Sequence, residues 1–136
     1  MAEIARGKTN SLTLGNIDIS RDWGWAPDYV DGMISILEHN SPDDFILATG
    51  DSHTLKEFVA TAFQSVGIED WAKYLTVDSA LVRPADVISV VGDPSKAKEK
   101  LKWNPIVSFE SMVKRMVDFD LELIDNGENN RIWKPE

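Results

Sequence analysis

Cysteine is absent from the 136 residues, which excludes disulfides and thiolate metal sites. Histidine is scarce: His39 and His53 are the two present, they sit at no ligand spacing, and no zinc site is expected. No apolar run approaches the ~20 residues of a membrane span, and the opening MAEIARGK is not a secretory signal. A cytoplasmic protein without membrane contact is the expectation. Basic residues are outnumbered, 14 against 23 acidic, and the net charge of -9 argues against general nucleic-acid binding, which needs a basic face. One small anion remains compatible with that balance, because near guanidinium contacts outweigh a screened background field. Internal repeats and low-complexity segments are also missing.

What is present is enough for one domain with a core and too little for two. The pattern divides it into a domain over 1–125 and a polar tail over 126–136 that includes Trp133. Ala2 to Arg6 reads as the last turn of a helix stopped by Gly7, with nothing to start it, so Met1 is read as a cut into a longer chain or a late start. Ser11 to Leu14 reads as a short strand. A helix is expected from Pro27, favoured at its start by Asp28 and Asp31, with Tyr29, Val30, Met33, Ile34 and Leu37 forming one buried face. After the turn SPDD, Phe45 to Ala48 reads as a buried strand. Thr54 and Glu57 form a capping box ahead of a helix ended by Gly67. Trp71 to Tyr74 suits a helical turn and Leu75 to Val77 a strand. Asp93 and Pro94 start a helix, and Ser108 caps the last one. Short strands alternating with longer helices predict an α/β arrangement with helix in excess, the strands too few and short for an independent doubly wound sheet. Such a body packs against something larger.

Of the five arginines, Arg6, Arg115 and Arg131 lie near ends or on a helix face, where solvation is sufficient explanation. Arg21 and Arg83 differ, each lying in a non-helical stretch with apolar neighbours. One reading pairs them with local carboxylates such as Asp22 or Asp86. The other is a diphosphate clamp, since guanidinium forks match phosphate oxygens and Asp86 can accept from ribose hydroxyls. The residues alone leave both open. The lysines Lys96, Lys98, Lys100 and Lys102 read as a solvated helix face, and the five tryptophans as packing between this body and a neighbour.

The runs LGNIDISRDWGWAPDYVDGM (14–33), FILATGDSHTLKEFV (45–59), RPADV (83–87) and GDPSKAKEKLKWNPIVSFESMVKRMV (92–117) resemble, in order, the carboxyl-terminal part of GDP-mannose 4,6-dehydratases. Those are extended short-chain dehydrogenases/reductases. The resemblance covers about 3–123 and implies a helix-rich substrate-binding subdomain of that fold without its Rossmann half. It implies that Arg21 faces the substrate diphosphate, that Arg83 contacts phosphate or nucleoside, and that Asp86 lies near the ribose. Two positions depart from the family pattern: Asp86 stands where glutamate is usual, and Ile88 where an acidic residue is typical. Asn16 and Trp23 lie beside the pocket by the same analogy, without an assigned role.

The family's cofactor is NADP, held on a glycine-rich strand-to-helix turn. No G-x-G-x-x-G or G-x-x-G-x-x-G segment occurs here, so no cofactor is expected on this chain. The family's catalytic tyrosine is followed four residues on by lysine, whereas Tyr29 and Tyr74 are followed by Met33 and Asp78. No catalytic residue is therefore assigned. The implied function is the substrate-binding portion of an enzyme converting GDP-mannose to its 4-keto-6-deoxy product, inactive alone, with a GDP-sugar and the Rossmann half or a dehydratase subunit as partners. The alternatives are a free-standing nucleotide-sugar-binding or assembly module without catalysis, and a part of a related sugar-nucleotide epimerase.

Overall fold

Thr54 and Glu57 close a reciprocal cap: the Thr54 hydroxyl accepts from the Glu57 amide at 3.0 Å, and the Glu57 carboxylate accepts from the Thr54 amide at 2.6 Å. That cap fixes the start of a helix over Leu55–Gln64, α3, the centre of the core. The computed structural model describes residues 1–83 and 85–127. Around α3 lie α1 (Ala2–Ala5), α2 (Ala26–Leu37), α4 (Ser95–Lys100) and α5 (Phe109–Asp125). Four strands, β1 (Leu12–Leu14), β2 (Ser20–Arg21), β3 (His53–Thr54) and β4 (Leu75–Val77), form two separate pairs. β1 runs parallel to β4 with Leu12 opposite Leu75, and β2 runs antiparallel to β3 with Arg21 opposite His53. The fold is α/β, helix-rich, with few short strands.

The core sits where α3 crosses α5 and α1. Ala62, Met112, Val113 and Val117 form one buried cluster, against which Trp23, Trp25, Phe58 and Phe109 pack. Ile4, Val59 and Phe63 form the second, covered by Leu12, Leu14, Trp71 and Tyr74. Burying each large apolar side chain contributes about 1.5–3 kcal/mol. Ser108 caps α5 by accepting from the Ser111 amide at 3.2 Å. α1 is tied to the far end of α5 by Arg6, whose Nε donates to Asp125 at 2.7 Å, so this arginine is paired rather than simply solvated.

Three expectations fail. The apolar side of α2 faces outward: Val30, Met33, Ile34 and Leu37 are 51, 56, 48 and 85% exposed. The side turned to the core carries Asp28 and Gly32, half a turn away. A Cβ at Gly32 would meet both methyls of Leu47 and the Trp103 indole at under 3 Å, so the helix approaches through a glycine and not through its apolar stripe. Second, Phe45 to Ala48 forms no strand among the described residues, and Ile46 is exposed, although Ala48 is buried. Third, the described tryptophans Trp23, Trp25, Trp71 and Trp103 pack within this chain: Trp103 is buried and donates to the Asp28 carbonyl at 2.7 Å, and Trp23 stacks on Phe109 and meets Phe58 edge-on. α5 ends at Asp125, and Arg131 and Trp133 lie outside the described residues.

Candidate functional site

β2 holds Arg21 between two neighbours. On one side it pairs with β3; on the other, the Ser20 amide donates to the Ile88 carbonyl and the Val90 amide donates back to Ser20, at 2.8 and 3.2 Å. This ladder brings Asp86 and Val87 onto the Arg21 side chain, 65 and 66 residues away in sequence. Nη1 of Arg21 donates to the carbonyls of Ser20 and Val87, each at 2.7 Å, and Nη2 donates to Asp86 Oδ1 at 3.1 Å. Arg21 is thus ion-paired, but with Asp86 from a segment distant in sequence and not with its neighbour Asp22. That pair does not use up the guanidinium. Nε–H and one Nη2–H have no partner among the described residues, and neither does Asp86 Oδ2. Both side chains keep solvent access, 28% and 21% respectively.

Arg83 precedes Asp86 in the same turn, closed by the Asp86 amide donating to the Arg83 carbonyl at 3.3 Å. Its side chain is exposed, and its guanidinium makes no hydrogen bond or ion pair among the described residues. The structure therefore joins Arg21 to Asp86 directly and places Arg83 on the loop that carries Asp86. Two guanidinium groups thus stand about the Asp86 carboxylate, on a protein that is acidic overall.

Asp22, the other partner left open for Arg21, does something else. Its Oδ1 accepts from the Thr49 amide and hydroxyl at 2.9 and 2.6 Å, and its Oδ2 accepts from the amides of Gly50 and Gly92 at 3.0 and 3.2 Å. Burial pushes this carboxyl up, but the Thr49 hydroxyl and the three amides outweigh it and hold the pKa below the usual carboxylate range. Asp22 thereby fastens the end of β2 to two turns, and so positions its neighbour Arg21. Asp28 is likewise more than a favourable charge at a helix start. It is 5% exposed, and its Oδ2 accepts from the amides of Ile106 and Val107, both at 3.0 Å. No local signal marks either residue, because their partners lie 27 to 79 residues away.

Asn16 accepts from the Asp18 amide at 3.0 Å, a local turn contact. Trp23 borders an open cleft of about 570 Å³ over the start of α5, together with Thr49, Asp51, His53, Lys98 and Glu110. Arg21, Arg83 and Asp86 do not line it, and its two carboxylates against one lysine make it a poor seat for an anion. Among the described residues no three His, Asp or Glu side chains converge as a metal site, and no helix is long and apolar enough to cross a membrane.

Comparison with known proteins shows the family by sequence and the fold by structure. Residues 1–116 fit the family model described as GDP-mannose 4,6 dehydratase. GDP-mannose 4,6 dehydratase 1 of Arabidopsis thaliana is 48% identical over 123 residues, covering 90% of this chain and 34% of its own length. The human GDP-mannose 4,6 dehydratase is 37% identical over 145 residues, covering 95% of this chain and 39% of its own length. The chain thus spans little more than a third of these relatives. Among solved structures, RMD from Pseudomonas aeruginosa complexed with NADPH superposes with a TM-score of 0.76 at 19% identity, over 86% of this chain and 38% of that one. The UDP-glucose 4-epimerase of Thermotoga maritima, solved with UDP-glucose, does so with 0.76 at 24%, over 90% and 38%. At those identities the fold is what is shared.

Proposed function

The chain belongs to the GDP-mannose 4,6-dehydratase family, and we propose that it supplies the nucleotide-diphosphate-binding portion of such an enzyme, with residues 1–125 as the binding domain and 126–136 as a tail. The observation that carries the reading is the Arg21 guanidinium, held by two neutral carbonyls and one carboxylate with an Nε–H and an Nη2–H unspent among the described residues. A preset fork of that kind suits a phosphate oxygen pair at little entropic cost. Arg83, on the adjoining turn and without a partner among the described residues, supplies the second cation, and Asp86 Oδ2 accepts from a ribose hydroxyl.

The chain binds GDP-mannose weakly and does not transform it. It has no glycine-rich turn for a dinucleotide, and Tyr29 and Tyr74 lack the lysine four residues on. NADP belongs to the complete enzyme, where it carries the hydride chemistry. The epimerase likeness extends to the fold, whereas the sequence match is to the dehydratases.

Calorimetric titration with GDP-mannose tests the reading. Binding is expected in the millimolar to high micromolar range, weakened about tenfold in Arg83→Ala, which breaks no side-chain hydrogen bond or ion pair among the described residues, and similarly in Arg21→Lys, which keeps the charge and loses the fork. Absence of heat at millimolar ligand, or unchanged affinity in both variants, would overturn it. Detection of the 4-keto-6-deoxy product from this chain with NADP and GDP-mannose would refute its inactivity alone.

A further inference from the structure

The two aspartates whose partners lie far along the chain, Asp22 and Asp28, hold the two walls of one cleft, the opening of about 570 Å³ over the start of α5. The first wall is the turn over 49–53. Asp22 fixes its start by accepting from the amide and hydroxyl of Thr49 and from the Gly50 amide. The pairing of β3 with β2 fixes its end at His53. The second wall is the loop over 104–110. Asp28, buried, accepts there from the amides of Ile106 and Val107, and its carbonyl accepts from the Trp103 indole just before the loop. Walls held in this way are preset, so a ligand entering between them meets little ordering cost. The volume lies within the ~300–1,000 Å³ of small-molecule sites.

The lining combines a flat aromatic surface with unused polar groups. Phe109 stacks on the His53 imidazole at 3.8 Å and 9°, and on the Trp23 indole at 6.1 Å and 20°, so three nearly parallel rings border the cleft. All three are part-exposed, and Ile106, 84% exposed, adds an apolar lip. The side chains of Asp51, Ser52, Lys98 and Glu110 make no hydrogen bond or ion pair among the described residues. Asn104 donates to the Pro105 carbonyl at 3.1 Å and keeps its side-chain oxygen. An anion in this cleft would meet two carboxylates, and a cation would meet Lys98. A neutral polyhydroxyl ring uses donors and acceptors together. Its hydroxyls donate to Asp51, Glu110 and the Asn104 oxygen and accept from Lys98 and Ser52, while its C–H face lies on the rings.

We propose that this cleft is a second ligand site, for an uncharged pyranose, separate from Arg21 and Arg83, neither of which lines it. Asp51 and Glu110 hold the sugar hydroxyls, and Trp23 and His53 carry its apolar face.

The test is an NMR titration of ¹⁵N-labelled chain with the methyl glycosides of mannose, glucose and galactose. At least one is expected to shift the Trp23 indole N–H and the amides over 51–53 and 106–110, with a dissociation constant on the order of millimolar, and to leave the amides of Arg83 and Asp86 in place. Asp51→Ala and Glu110→Ala are each expected to weaken that binding about tenfold. Both keep the wild-type unfolding midpoint, because each side chain is exposed. Calorimetric binding of GDP-mannose is unchanged in Asp51→Ala, and glycoside binding is unchanged in Arg83→Ala. The proposal is overturned if no glycoside moves the cleft signals at about 50 mM, or if both carboxylate variants bind as the wild type does. It is also overturned if n-butylammonium or inorganic phosphate moves the same signals at lower concentration than any glycoside. Loss of glycoside binding in Arg83→Ala would show a single site and overturn it as well.

Discussion

Replacing Asp22 with asparagine perturbs one carboxylate on which three segments depend. Four donors converge on it, two on each oxygen. An asparagine keeps one carbonyl oxygen and turns an NH₂ group toward the other pair of donors, so two hydrogen bonds are lost and two become neutral. With a net value of about 1 kcal/mol per bond, the low end for charged acceptors because the site is part-exposed, the cost is about 2–3 kcal/mol. Asp22→Ala removes all four and costs about 3–4 kcal/mol on the same scale. Urea unfolding followed by tryptophan fluorescence reads this directly, since Trp23 adjoins the site and Trp103 is buried. At an m-value of about 2 kcal/mol/M the midpoint of Asp22→Asn falls by about 1–1.5 M at neutral pH.

The pH dependence sharpens that prediction. The folded-state pKa of Asp22 is depressed, so its contribution is fully present above the unfolded value of about 3.9 and is lost as pH falls through the lower folded value. Wild type and Asp22→Asn therefore converge in stability as pH drops below about 4. A difference under about 0.5 kcal/mol at pH 7, or one that stays constant down to about pH 3, would refute the account of Asp22 as a charged fastener.

Further changes test other joints. Asp28→Ala strands the amides of Ile106 and Val107 and is expected to cost about 2–4 kcal/mol in urea unfolding, with Asp28→Asn costing about half as much because one oxygen receives both bonds. Thr54→Ala breaks the capping box and is expected to lower stability by about 1 kcal/mol, visible as faster amide exchange in the first turn of α3. Gly92→Ala would place a Cβ 2.4 Å from that of Ala48, and a thermal scan is expected to show a loss of several degrees, partly recovered in the double variant with Ala48→Gly.

Local chemistry was legible in the sequence wherever the partners are close along the chain. The Thr54–Glu57 box, the Ser108 cap and the left-handed stops at Gly7 and Gly67 stand where residue pattern places them. The α/β class with helix in excess was legible for the same reason. The orientation of α2 was not: periodicity says that Val30, Met33, Ile34 and Leu37 share a side, and nothing in it says which body that side meets. Phe45–Ala48 carries the composition of a buried strand without a strand to pair with among the described residues, so composition identified its chemistry and misjudged its surroundings. Asp22 and Asp28 were beyond reach because they serve amides distant in sequence. Arg21 lies between these cases: Asp22 stood beside it and Asp86 was legible as a carboxylate next to Arg83, but only the pairing of Ser20 with Ile88 and Val90 brings Asp86 to Arg21.

The most direct test of the central claim, a diphosphate held by Arg21 and Arg83, is a calorimetric comparison of GDP with GMP on this chain. GDP is expected to bind about tenfold tighter than GMP, and the difference is expected to collapse in Arg21→Lys. Equal affinity for the two nucleotides in the wild-type chain would contradict the clamp.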